Sequence, residues 1–163
     1  MENTINFRAA EESDIGLILA FIKALAAYEN MSDQVIATEE SLREWIFEKQ
    51  KAEVIFAVAD GREVGYALFF HNFSTFVGKA GLYLEDLFVL PECRGKGYGK
   101  KLLQELARIT VERGCGRLEW ACLDWNKPSI GFYLSLKAEP MDEWTVYRLA
   151  GAELNSLAEI TQS

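Results

Sequence analysis

Four residues of the stretch RGKGYG, Arg94, Gly95, Gly97 and Gly99, stand where an apolar run, GLYLEDLFVL (81–90), gives way to a helical pattern, GKKLLQELARITVERG (99–114). Each glycine costs backbone entropy, so a cluster of them needs a reason. Successive backbone N–H groups in a turn form a concave anion site, and a helix N-terminus adds the positive end of its dipole. Glycines at these places admit a pyrophosphate close to the main chain, and Lys96, Lys100 and Lys101 add positive charge around it. The same spacing also suits a plain glycine-rich turn before a solvated helix. Two phosphate motifs are excluded. GxxxxGK[ST] has no match, and GxGxxG fails because the spacing here is GxGxG, late in the chain and behind a hairpin pattern. Just upstream, Glu85 and Asp86 are adjacent acids that a regular strand would point to opposite faces, so one of them faces any cleft on that strand. A paired or solvated carboxylate is the plainer reading of either.

These residues need a scaffold, and 163 residues with half in the apolar set suit one domain, 1–163, with a substantial core. The order of elements follows from periodicity. INFRAA (5–10) reads as a strand, and SDIGLILAFIKALAAYE (13–29) as an amphipathic helix with Ser13 or Asp14 as N-cap. TEESLREWIFEK (38–49) reads as a second helix. EVIFAVAD (53–60) and REVGYALFFHNF (62–73) flank Asp60-Gly61, a strong hairpin signal. The strand 81–90 closes at Pro91, and the helix after the glycines ends at Gly114. RLEWACL (117–123) is a strand, NKPSIGFYLSL (126–136) a helix opened by Asn126 and Pro128, and EWTVYRLA (143–150) a final strand. The order β-α-α-β-β-β-α-β-α-β is an α/β arrangement, a mixed sheet with helices on its faces.

Charge and cysteine use narrow the function. A net charge of −8 argues against a nucleic-acid partner, which needs clustered cations, and suits a small cationic substrate. Cys93, Cys115 and Cys122 make an odd number without a CxxC pair, as free thiols of a reducing compartment do. His71 is the one histidine and lacks zinc-ligand spacing around it, so no metal is expected. No leader, signal core or membrane-length apolar run is visible, which makes the cytoplasm the expected location.

RGKGYG resembles the R/Q-x-x-G-x-G/A motif of the GNAT superfamily of N-acetyltransferases, with Arg94, Gly97 and Gly99 in its defining positions. LAAYE (25–29), GLYLEDLFV (81–89), LDWNKPSIGFY (123–133) and DEWTVYRL (142–149), in that order, are similar to the diamine (spermidine/spermine) and thialysine N-acetyltransferase branch. The resemblance implies a mostly antiparallel twisted sheet flanked by about four helices. It implies acetyl-CoA as acetyl donor, its pyrophosphate on Arg94, Gly95, Lys96, Gly97, Tyr98, Gly99 and Lys100. The pantetheine arm would lie along the backbone of Leu87, Phe88 and Val89, with Asn126 and Ser129 as further coenzyme contacts. Tyr133 would lie near the coenzyme sulfur as general acid, since a phenol of pKa about 10 can protonate a leaving thiolate. Glu85 would bind the amine and take its proton through water. Tyr28 and Glu29 would line the amine site, often across a homodimer, together with Ser74, Trp125, Glu143 and Trp144.

Two departures bear on this. Lys137-Ala138 replaces the Gly-Ala common after the catalytic helix, which touches the local turn and not the chemistry. Ser74 stands where spermidine-acetylating members tend to carry an acid, so a small primary amine or lysine-like side chain is the preferred acceptor, with polyamines kept open. A coenzyme-binding module without turnover, and a transferase acting on a protein amine, are the competing readings.

Overall fold

The structure, a computed structural model, describes residues 4–159. The chain divides into two compact units, 1–121 and 122–163, each described by itself.

The first unit holds five strands: β1 (Ile5–Ala9), β2 (Glu53–Ala59), β3 (Arg62–Ser74), β4 (Lys79–Val89) and β5 (Leu118–Trp120). They pair in sequence order, antiparallel throughout except for the parallel pair β4–β5. Asp60 (φ +51°) and Gly61 (φ +74°) are both left-handed, the geometry a two-residue hairpin needs, which is why Asp-Gly announces this turn. Helix α1 spans Ile15–Tyr28, α2 spans Glu39–Leu42 and continues as a wider π turn over Arg43–Glu48, and α3 spans Tyr98–Glu112. A capping box opens α2: the Ser41 N–H donates to Thr38 Oγ1 (3.1 Å) and the Thr38 N–H to Ser41 Oγ (2.9 Å). Asp14 is the N-cap residue of α1, but its carboxylate serves the Glu11 N–H and Arg8 rather than the helix. Gly114 (φ +70°) ends α3, and the Cys115 N–H donates back to the Thr110 carbonyl at 3.0 Å.

Two layers cover the sheet. On one face Ile18 and Phe21 of α1, with Ile46, pack on Val54, Phe56, Tyr66 and Phe88. The Phe21 ring stacks on Tyr66 at 5.1 Å and meets Phe88 edge-on at 6.3 Å. On the other face lies α3: a Cβ at Gly65 would stand 3.2 Å from Leu102 Cδ1 and 2.8 Å from the Phe88 carbonyl, so only glycine fits there.

The second unit contains α4 (Lys127–Ser135) and α5 (Gly151–Ala158), the latter without counterpart in the sequence reading. The strand predicted over 143–150 does not form; the chain turns at Asp142–Glu143 and runs on without a ladder partner. Val146 and Tyr147 are 86% and 92% exposed. The β-branched and aromatic residues of this segment signal fit to a pleated, half-buried surface, and without such a surface they do not make a strand.

Candidate active site

Strand β4 changes its surroundings halfway. β5 pairs only with Leu82, Tyr83 and Leu84. From Glu85 to Val89, no strand among the described residues joins β4 on that side. The β5 pairing stops there, so β4 from Glu85 onward lacks a strand partner on that side among the described residues, and we call this point the fork. At the same point β4 carries a bulge: Leu68 pairs with Asp86 and Phe69 with Leu84, so Glu85 is an extra residue. The bulge shifts the alternation by one. Leu84 lies opposite Phe69, whose ring is under the Arg113 guanidinium at the end of α3. Asp86 and Phe88 lie opposite Leu68 and Tyr66, on the α1 face. If Glu85 were regularly paired instead of bulged, Leu84 and Asp86 would share one face. The regular strand expected at Glu85–Asp86 is corrected accordingly: Glu85 itself is exposed, and Asp86 turns toward α1.

Asp86 meets the core there. The Tyr66 phenol donates to Asp86 Oδ2 at 2.5 Å. Burial pushes the Asp86 carboxyl above the usual carboxylate range, and the Tyr66 hydrogen bond pulls the other way. Glu29, just past α1, is also pushed up, by burial first and then by the charge of Asp86. Burial, then the charge and hydrogen bond of Asp86, then Glu29 and Glu85, keep the Tyr66 phenol protonated. Glu85 also lies near Tyr83, whose phenol is raised by burial, then by Glu85 and Glu119. Three carboxyls, Glu29, Glu85 and Asp86, thus gather at the fork.

The glycine loop follows directly. After a short turn over Pro91–Cys93, Arg94 Nε donates to the Val89 carbonyl at 3.0 Å. Its guanidinium lies over the rings of Tyr28 (4.8 Å) and Phe88 (5.1 Å). Arg94 therefore ties the end of α1 to the end of β4. Gly95 (φ +79°) and Gly97 (φ +81°) are left-handed, and Gly97 is the N-cap of α3, where no side chain caps the helix. A Cβ at Gly99 would meet Leu87 and Val89 side chains at 3.9 and 4.0 Å, ordinary contact distances. So Gly95 and Gly97 shape the turn, whereas nothing within the fold requires glycine at 99. Tyr98 and Phe88 are buried, so they can offer a ligand only backbone groups, while Lys96 and Lys100 are exposed beside the open helix N-terminus. This arrangement fits a pyrophosphate, with uncapped N–H groups at a helix start and flanking lysines.

Ser74 lies apart from this group. It is buried at the far end of β3, opposite Lys79, and its Oγ accepts from the Val77 N–H at 3.2 Å. It braces the β3–β4 turn, roughly 17–20 Å along the strand from the bulge at about 3.3 Å per residue.

In the second unit, Asn126 is the N-cap of α4, and its side chain makes no cap hydrogen bond. Asn126, Ser129 and Tyr133 recur at three and four residues and are each half-buried, one stripe along the helix. Trp125 (50%) and Trp144 (73%) are well exposed, and Glu143 sits in the turn before Trp144. Lys137 takes the left-handed position (φ +65°) usual for glycine, and the Ala138 N–H donates to the Tyr133 carbonyl at 3.2 Å. The turn after α4 thus forms without the usual glycine.

A model of the acetyltransferase (GNAT) family matches residues 20–137, from within α1 through α4 and the turn after it. The chain belongs to the GNAT acetyltransferase family. It is an acyltransferase, and GNAT acetyltransferases take acetyl-CoA as donor. A thialysine N-epsilon-acetyltransferase of Bos taurus is 37% identical over 94% of this chain and 97% of its own length. An L-ornithine N5-acetyltransferase of Arabidopsis thaliana is 41% identical over 59% of this chain and 42% of its own. Among solved structures, an integron cassette protein from V. cholerae superposes with a TM-score of 0.80 at 30% identity, covering 98% of this chain and 99% of that one. Sequence reasoning weighed Asp86 beside Glu85 but gave it no role, because its orientation depends on the bulge, and it passed over Tyr66, which lies in an ordinary-looking strand.

Proposed function

We propose that this enzyme transfers acetyl from acetyl-CoA to the terminal primary amine of a small lysine-like amino acid, with diamines and polyamines as weaker acceptors. The observation that carries this is the fork of β4 at Glu85, where a strand edge unpaired among the described residues, a left-handed glycine loop and three carboxyls converge. Carboxyls attract an ammonium group, and the likeness to thialysine and ornithine acetyltransferases supports an acceptor with an amino-acid head.

The division of labour follows from the residues. The N–H groups at the start of α3, with Lys96 and Lys100, hold the pyrophosphate, and Leu87–Val89 offer backbone to the pantetheine arm. An ammonium with a pKa of about 10 has no lone pair, so its proton leaves first, to Glu85 through water. The amine nitrogen then bonds to the thioester carbon. When the carbon–sulfur bond breaks, the Tyr133 phenol gives its proton to the thiolate; the nitrogen, now bonded to carbon, sheds a second proton that restores the phenol, and Glu85 returns the first to solvent. Asn126 and Ser129, on the Tyr133 stripe, contact the coenzyme, and Tyr28, Trp125, Glu143 and Trp144 frame the acceptor. We take both units as one transferase domain, working as a homodimer in the cytoplasm; the family match runs across their boundary. Among the described residues, no helix is long and apolar enough to cross a membrane, and no cluster of three or more ligating side chains could hold a metal.

The test is thiol release from acetyl-CoA with lysine, thialysine, ornithine, putrescine, spermidine and an amine-free control. Release strongest with the amino acids is expected. Release strongest with spermidine overturns the acceptor assignment. Coenzyme binding without release overturns the small-molecule reading and favours a binding module, or a protein amine if mass spectrometry finds acetylated peptides.

A further inference from the structure

Tyr66 belongs to no motif, yet it touches the proposed acceptor site. Its ring is fully buried, stacked on Phe21 and opposite Phe88, so the phenol cannot swing away. Its oxygen reaches out of this apolar layer to Asp86 Oδ2, just past the bulge. We infer that Tyr66 is a positioning residue for acetyl transfer: its hydrogen bond fixes the Asp86 carboxylate at the fork, where Asp86 and the neighbouring Glu29 receive the acceptor's ammonium group. This rests on the proposed function, because it assigns a second layer to that same site.

The geometry gives the reason. A carboxyl drawn into an apolar layer favours its neutral form, and a neutral acid neither attracts an ammonium group nor accepts a proton from it. A hydroxyl donor aimed at one carboxylate oxygen favours the charged form and fixes the direction of the other oxygen. The charged and titratable groups around Asp86 are Tyr66 from β3, Glu85 beside it on β4, and Glu29 from the end of α1. Arg94, in the following loop, is turned to the Tyr28 and Phe88 rings and the Val89 carbonyl. Tyr66 is therefore the donor that opposes the burial of Asp86. The phenol keeps its own proton throughout and takes no part in the transfer; it acts on the reaction only through the carboxylate it holds.

The experiment is the pH profile of kcat/KM for Tyr66→Phe, which keeps the ring and removes the donor. The expected result is an acidic limb moved up by about one pH unit, with a KM for the amine raised more than kcat is lowered and with coenzyme affinity unchanged. A purely packing role would lower thermal stability and leave the limb in place, which overturns the inference. Asp86→Asn should remove the part of that limb that Asp86 contributes, and adding Tyr66→Phe to it should have no further effect on the profile. A second readout needs no acceptor: the infrared band of the protonated Asp86 carboxyl, assigned by its loss in Asp86→Asn, should titrate at higher pH in Tyr66→Phe. If the wild-type protein acetylates none of the amines, the proposed function has failed, and the infrared titration still decides whether Tyr66 governs Asp86. An unmoved band overturns the inference whatever the activity.

Discussion

The two units hold the residues proposed for the chemistry by different means. In the first, Glu85, Asp86 and Glu29 are brought together by strand register and by a buried aromatic layer, over tens of residues of sequence. In the second, Asn126, Ser129 and Tyr133 are set along one helix by its own period, within eight positions and without a fully buried residue in the helix. Long-range placement depends on strand register and on the aromatic layer beneath the acids. Local placement depends on a single helix and its end turn. Substitutions in the two regions should therefore fail differently.

The largest effects test the chemistry on each side. Tyr133→Phe should lower kcat by about a hundredfold with coenzyme affinity retained, and Glu85→Gln should lower kcat/KM by a similar factor, both read by steady-state thiol release. Equal activity for Tyr133→Phe at every pH would remove the second unit from the chemistry and break the comparison. Next is Gly97→Val, which forces a β-branched residue into a left-handed position. It should cost about 1–2 kcal/mol of stability and weaken coenzyme binding by roughly tenfold, measured by thermal melts and calorimetry.

Smaller effects sharpen the contrast. Lys137→Gly should stabilise the protein by about 1 kcal/mol, because a left-handed position without a Cβ is unstrained, and it should leave the fork untouched. The last concerns Arg8, which binds Asp14 and Glu63, both at 2.8 Å. The Arg8 hydrogen bond is the leading cause that holds each carboxyl below its usual range. Folded values below unfolded ones add stability above the usual carboxylate pKa of about 4 and lose it as pH falls through the lowered values. Arg8→Met should cost about 1 kcal/mol at neutral pH, a value reduced by solvent screening, and should flatten the acid side of a stability–pH curve.

The legible part of this molecule was local. Asp60-Gly61 announced the hairpin, Gly114 the end of α3, and Arg94-Gly95-Lys96-Gly97-Tyr98-Gly99 the loop, because each needs only a few neighbouring dihedral angles. What escaped was set by partners distant in sequence. Leu-Glu-Asp-Leu reads as an unbroken alternation, and its bulge exists only in register with Leu68 and Phe69. Tyr66 reads as one apolar residue among several until Asp86 stands opposite its oxygen. The segment 143–150 misled in the reverse direction, having strand-forming residues but no strand pairing among the described residues. Ser74 was assigned to an acceptor site through likeness, and the turn it braces claims its hydroxyl.

The extra residue at Glu85 makes β4 a strand with a reading frame. Upstream, the sheet reads one side chain in two toward α3; downstream, it reads the other toward α1. Deleting Glu85 would therefore be unlike replacing it. Because Leu84 and Asp86 already face consecutive residues of β3, the deletion would close the bulge into regular register, keep Asp86 and Phe88 toward α1, and remove only the kink and its carboxylate. Around the bulge this strand can lose one residue and keep both flanks on their faces, whereas a residue gained there must widen the bulge or flip one flank to the other layer.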